Sequence, residues 1–354
     1  MSVFYGVMEK VYVGVSGGVD SAAAVRILQE QGFEVTGVHL SMYGEDACDI
    51  AELSEELGIE VLTLNLRERF EREVITPFVK DYLQGYTPSP CTVCNPFIKW
   101  EVLRETALVQ GGTGSRWSTG HYCRIVEMNG LFYVARGADL IKDQSYYLWR
   151  LGQDVLCGAL MPLGEVAKKD VKFRMEGEGL VRLANRKESM GVCFLKGKGY
   201  AAFLKERCPG LAALDGGEIV NKKGEVLGKH SGYPFYTLAQ RRGLPIKKGE
   251  CVVKIDASEN RLIIGTPEEL YCREIWLEDW RVTNEDEFFS SLSLEVKVRG
   301  IGLNPTGYCR VAKEGARIHV ELCDDRAWAV AKGQPAVFYI DDRVVGGGVV
   351  ADAL

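Results

Sequence analysis

Residues 11–32 read VYVGVSGGVDSAAAVRILQEQG, and this stretch decides the fold. Val11–Val15 is a short apolar run, the pattern of a buried strand. From Ser21 onward apolar residues recur at helical spacing and stop at Gly32, which predicts a helix of about three turns. Only Ser16, Gly17, Gly18, Val19 and Asp20 separate the two, so strand and helix meet in a tight glycine turn. Outward from this point the alternation continues. A second strand is expected at Glu34–Leu40, a helix at Asp49–Leu57 and a third strand at Glu60–Asn65. A long amphipathic stretch, Glu68–Leu83, and a later strand at Trp117–Tyr122 follow. Strands alternating with helices predict parallel βαβ units covered on both faces, running to about Leu151.

The rest of the chain reads differently. Residues 165–205 are helical in pattern and basic; from Gly216, short alternating strands and turn residues indicate a small β-rich module. Leu292–Val350 repeats the all-β pattern, with Gly346, Gly347 and Gly348 near its end, and a small barrel is the simplest architecture. Asn284–Ser291, acidic and polar, is expected to link the two modules. A chain of 354 residues is too long for one ordinary core. The expected division is 1–205, 206–283 and 284–354.

The net charge of −6 argues against a nucleic-acid partner only until its distribution is read. Residues 165–248 carry +9 and the remainder −15, a local footprint suited to an anionic partner such as a phosphate backbone. No apolar run approaches a membrane span, and MSVFYGVMEK lacks the features of a secretory leader. The expectation is a cytoplasmic protein with no membrane partner. Its eleven cysteines are therefore read as reduced. Cys123, Cys157, Cys208, Cys251, Cys309 and Cys323 stand singly and are expected to pack inertly.

The loop 16–21, SGGVDS, carries the first chemistry. Glycines at a strand–helix junction let backbone N–H groups converge on an anion, and the helix N-terminus adds partial positive charge. Ser16 and Ser21 supply hydroxyls; Asp20 is read as a helix cap or a magnesium ligand. The lysine of the mononucleotide phosphate loop is absent. A loop without it suits a grip on pyrophosphate while the α-phosphate is attacked. SGGVDS resembles the PP-loop pyrophosphatase family, whose members adenylate a substrate; the loop alone does not choose among them.

Cys91-Thr-Val-Cys94 follows a proline-punctuated segment, and Asn95-Pro96 is expected to start a helix. Cys94 would then sit beside a helix N-terminus, where a thiolate is stabilised. Cys193 lies in a second glycine-containing turn. Seven strings decide the wider reading. TPSPCTVCNPFIKW (87–100), STGHYC (118–123), KDQSYYLWRL (142–151), MPLGEVAKKDV (161–171), ANRKESMGVCFL (184–195), YPFYTLAQRRGL (233–244) and AVFYIDDRVVGGGVV (336–350) occur in this order. They resemble, in order, the segments of the bacterial tRNA-specific 2-thiouridylases, over Tyr12–Val350.

The resemblance implies an α/β PP-loop domain (adenine nucleotide alpha hydrolase-like), then a central β-rich domain and a C-terminal β-barrel. It implies ATP-dependent adenylation of the C2 oxygen of a wobble uridine, followed by sulfur transfer. Its cofactors would be ATP and Mg2+; its partners would be tRNA and a sulfur-donor protein or free sulfide. Gly14, Val15, Ser16, Gly17, Gly18, Val19, Asp20 and Ser21 would hold the phosphates, with Leu40 and Gly120 bordering the adenosine. Cys94 takes the place of the nucleophilic cysteine and Cys193 that of the persulfide carrier. His121, Lys142, Asp143, Gln144, Arg299 and Gln334 match segments that approach tRNA.

One departure matters most: Ser89-Pro90-Cys91 stands where the family has Asn-Pro-Asp. Cys91, Cys94 and Cys193 would be three soft ligands, the number a [4Fe–4S] cluster with one open iron needs. Zinc is the rival metal, but no fourth ligand stands at structural-site spacing; Cys48 is the distant candidate. Two sulfur routes compete, a Cys193 persulfide resolved by Cys94 and a cluster-bound hydrosulfide. The cluster is favoured because the persulfide scheme gives Cys91 no part. Arg299-Gly300 and Lys332-Gly-Gln334 also depart from the family, the first by losing an aromatic that could stack on a base. The alternative function is another PP-loop tRNA sulfurtransferase or an AMP-forming ligase.

Overall fold

The structure, a computed structural model, describes residues 8–43, 50–185 and 191–354. The chain divides into two compact units. The first comprises Met1–Val74, Cys91–Glu188 and Asp342–Val344; the second comprises Ile75–Pro90, Ser189–Asp341 and Val345–Leu354.

In the first unit β1 (Lys10–Gly14), α1 (Val19–Glu30), β2 (Glu34–Ser41), α2 (Ile50–Leu57) and β3 (Val61–Asn65) follow the expected alternation. Val11 and Val13 are fully buried in β1, and Ala22, Ala23 and Ala24 lie against the same core. Three successive alanines let α1 approach the sheet closely at little side-chain entropy cost. The helical run after β3 is interrupted: Arg67–Phe70 and Thr76–Leu83 are α-helical, with a π-helical turn at Glu71–Ile75 between them.

A second helical run starts at Cys91 rather than at Asn95. Cys91–Cys94 passes through a π-helical stretch, Asn95–Trp100, into α3 (Glu101–Gly111). Pro96 thus lies inside the run. A proline there removes an i→i−4 bond and crowds the preceding carbonyl, and a π-turn accommodates both.

The strand expected at Trp117–Tyr122 ends early, as β4 (Arg116–Ser118). An antiparallel hairpin then interrupts the βαβ pattern, pairing β5 (Cys123–Met128) with β6 (Leu131–Arg136). Its turn is Asn129-Gly130, both at positive φ (53° and 75°), the geometry that Asn-Gly favours between twisted strands. With β7 (Ala159–Leu160) the parallel sheet has the order β3-β2-β1-β4-β7. Chain order therefore reverses between β1 and β4, and in sheets of this kind ligands bind outside the carboxyl ends of the strands at such a point.

The second unit is β-rich. Gly217–Asn221, Val226–His230, Cys251–Asp256 and Arg261–Gly265 form a four-stranded sheet over Ile219, Val252, Leu262 and Ile264. A larger antiparallel sheet runs Glu295–Lys297, Pro335–Ile340, Arg343–Ala353, Glu274–Val282, Arg317–Leu322, Cys309–Glu314. Gly346 is required there: a Cβ would lie 2.6 Å from the Arg281 carbonyl. The stretch expected as a linker is instead the helix Glu285–Ser290, capped when the Glu287 N–H donates to Asn284 Oδ1 (3.1 Å). Phe288 is fully buried and holds it against Phe338. Among the described residues no helix is long and apolar enough to cross a membrane.

Candidate nucleotide and thiol site

The residues singled out as a phosphate loop follow the carboxyl end of β1, at the β1–β4 reversal. Gly17 takes φ 71° and Gly18 is the N-cap of α1, with no side chain capping the helix. The loop is closed by Ser21, whose Oγ donates to the Gly18 carbonyl (2.9 Å) and accepts from the Ser16 N–H (3.3 Å). Its walls need glycine. A Cβ at Gly14 would meet Leu103 of α3 at 3.1 Å, and one at Gly120 would lie 2.7–2.8 Å from the backbone of Asp20 and Ser21. Val15 is buried, and its carbonyl contacts His39 Nδ1 at 3.1 Å. Leu40 is half-buried in β2, paired with Leu64.

Asp20 draws two side chains from distant segments. Tyr122 Oη and Lys168 Nζ each donate to its Oδ1, both at 2.6 Å. Neither residue was singled out from the sequence as part of the site, although both lie in strings quoted above. Asp20 is a carboxylate at the loop, and Mg2+ is commonly held by one or two carboxylates together with substrate phosphates. That donor chemistry fits an ion arriving with the nucleotide.

Tyr122 connects the loop to the KDQ segment. Its N–H donates to Gln144 Oε1 (3.0 Å), and its carbonyl accepts from the Gln144 N–H (2.9 Å). Asp143 shapes the same turn, accepting from the Gly137 and Ser145 N–H groups and the Ser145 hydroxyl. The Lys142 N–H is bonded to Asp139. His121 contacts Thr119 Oγ1 through Nδ1 at 2.6 Å and stacks on Trp100. Burial, helped by the Lys99 charge, pushes its pKa down to about 3, so the ring is neutral at physiological pH.

The cysteine turn meets this segment too. Asn95 is buried and its Nδ2 donates to the Tyr147 carbonyl (3.1 Å), while burial and Cys91 together raise the Tyr147 pKa. Cys94 is buried and Cys91 half-buried. In the other unit, Cys193 is exposed at the start of a 3-10 turn, Cys193–Leu195. There the Arg299 guanidinium donates to the Trp328 and Ala329 carbonyls, and Gln334 Nε2 donates to the Thr87 carbonyl (2.6 Å).

Among the described residues no group of three or more Cys, His, Asp or Glu side chains could hold a metal ion. The [4Fe–4S] set expected of Cys91, Cys94 and Cys193 draws two thiols from the first unit and one from the second, and Cys48 lies outside the described residues. Of the cysteines expected to pack inertly, Cys123, Cys251 and Cys309 are buried, and burial pushes the Cys309 thiol up to about 12. Cys157 and Cys323 are exposed instead, at surface turns and strand ends where no core covers them.

Comparison with known proteins covers almost the whole chain. Residues 9–197 match the family described as tRNA methyl transferase HUP domain. Residues 201–266 match its PRC-barrel domain, and 272–350 the aminomethyltransferase beta-barrel domain. A Bacteroides fragilis protein named tRNA-specific 2-thiouridylase MnmA 3 is 41% identical over 97% of this chain and 94% of its own length. A protein named tRNA-specific 2-thiouridylase MnmA from Chlorobium phaeobacteroides is 39% identical over 98% of each chain. Among solved structures, an NMN synthetase from Francisella tularensis aligns with 56% of this chain and 77% of its own. That match has 18% identity and a TM-score of 0.36.

Proposed function

We infer the activity from one premise: this chain belongs to the tRNA-specific 2-thiouridylase family. On that premise we propose that it is an ATP-dependent tRNA-uridine 2-sulfurtransferase. The observation carrying the proposal is the loop 16–21 at the sheet's reversal, its glycine walls closed on the first turn of α1. Backbone N–H groups at a helix N-terminus suit the phosphates of ATP. Magnesium, carried with the nucleotide and facing Asp20, would neutralise phosphate charge.

The wobble uridine is turned out of the anticodon stack so that its C2 carbonyl becomes accessible. The O2 atom attacks the α-phosphorus of ATP and pyrophosphate leaves. Adenylation converts a poor leaving oxygen into a good one. The terminal sulfur of a Cys193 persulfide then attacks C2, and AMP departs. The Cys94 thiolate attacks Cys193 Sγ, leaving sulfur on C2 and a Cys94–Cys193 disulfide that a thiol reductant reopens. The basic segment 165–248 contributes phosphate-backbone affinity, and the 1–205, 206–283 and 284–354 division is proposed as three functional modules.

The test is mass analysis of nucleosides from tRNA incubated with the protein, ATP, a persulfide (sulfane-sulfur) donor and a thiol reductant. A 2-thiouridine at the wobble position, with one AMP released per modification, is expected. ATP binding without any thiolated wobble uridine would refute the assignment.

A further inference from the structure

We propose that Lys168 is a phosphate ligand of the nucleotide site, supplying from outside the loop the positive charge that SGGVDS lacks. The inference rests on the ATP-binding reading above. Lys168 opens α4 (Lys168–Gly177) as its first residue. A lysine is locally unfavourable there, because a helix N-terminus already carries partial positive charge. Positions that break a local rule are often functional ones. Its neighbour Lys169, in the same first turn, is exposed. The Lys168 side chain is only 13% exposed and ends 2.6 Å from Asp20 Oδ1.

Its surroundings hold it in place. The Lys168 N–H donates to Asp139 Oδ2 (3.0 Å), and Asp139 Oδ1 accepts from the Ile141 and Lys142 N–H groups. The Lys168 ammonium lies over the Tyr122 ring, with Nζ 5.6 Å from its centroid. Tyr122 donates to the same Asp20 oxygen, so ring, carboxylate and ammonium form one preorganised group beside the loop.

Electrostatics gives the group its purpose. SGGVDS contains one acid and no base, and Asp20 alone would repel a triphosphate. Lys168 cancels that charge before the nucleotide arrives. When phosphate oxygens enter the loop, the ammonium can exchange its contact with Asp20 Oδ1 for one with them. It then stabilises the charge that develops on departing pyrophosphate.

Equilibrium dialysis of the full chain with Mg·ATP, and separately with adenosine, tests this. Wild type is compared with Lys168→Met, Lys168→Gln, Lys168→Arg, Asp20→Asn and the double variant Asp20→Asn/Lys168→Met, with thermal melts to verify folding. Lys168→Met and Lys168→Gln are expected to weaken ATP roughly tenfold or more and adenosine by less than about twofold. Lys168→Arg should retain most of the affinity, and the loss on Lys168→Met should persist in the Asp20→Asn background. Equal ATP binding by wild type and Lys168→Gln overturns the inference. So does equal weakening of ATP and adenosine, or a loss that vanishes when Asp20 is asparagine, since Lys168 would then act only by positioning Asp20. A wild type that binds no ATP overturns the functional proposal as well, and that result is read from the wild-type arm alone.

Discussion

Gly120→Ala would place a methyl group where the first unit has no space for one. The added Cβ would lie 2.7 Å from Asp20 C and 2.8 Å from both Asp20 O and Ser21 N, against ordinary contacts that begin near 3.4 Å. All three atoms are backbone in the first turn of α1, so no flexible side chain can yield. Either the segment after β4 retreats from the helix or the helix turn moves away from the loop. Overpacking of this kind costs about 1–3 kcal/mol, which for a protein of this size lowers Tm by roughly 2–10 °C. A displacement approaching 1 Å near the chemistry costs on the order of 100-fold in rate. Gly120→Ala should therefore slow tRNA-dependent AMP release by roughly 10- to 100-fold, measured by chromatography of labelled nucleotide beside a thermal melt. Gly114→Ala is the matched control, because its Cβ would meet nothing within 4 Å. Unchanged Tm and unchanged AMP release in Gly120→Ala would show that the close approach does not constrain the site.

Tyr122→Phe removes the hydroxyl from Asp20, and since Asp20 is one-third exposed the expected loss is about 1 kcal/mol in urea unfolding, with weaker ATP binding. His121 has a pKa held near 3 in the folded protein against an unfolded value near 6.5, so the unfolded chain binds the extra proton between these limits. The contribution is fully present above about pH 6.5 and is lost as pH falls toward 3; His121→Gln should flatten acid destabilisation over that window in pH-dependent denaturation. Cys94→Ser and Cys193→Ser should each abolish thiolation of tRNA, whereas Cys91→Ser should retain it. Iron and sulfide in anaerobically purified wild type, lost together with activity in Cys91→Ser, would reverse that expectation.

Departures between sequence and structure have local physical causes. The β5–β6 hairpin carried a readable signal in Asn129-Gly130, but the surrounding βαβ rhythm suggested a continuing parallel pattern. Asn284–Ser291 is polar enough to read as a linker, yet burial of the single residue Phe288 anchors it as a helix. Pro96 marks a helix start by local rules, and a π-helical stretch lets the helix begin earlier at Cys91. Of the three, the Phe288 case turns on packing that neighbouring residues in sequence do not encode.

The sequence by itself determined the strand–loop–helix junction at 11–32, because hydrophobic period and glycine placement are local properties of consecutive residues. It also determined the family, through strings preserved in order along the chain. Only the tertiary structure decided what surrounds the loop. Tyr122 and Lys168 stand 102 and 148 residues from Asp20 and meet on one carboxylate oxygen. Neither pairing has a spacing rule, since it depends on how β4 and α4 are brought beside α1. The loop's shape is written in its glycines; its charge balance comes from the fold.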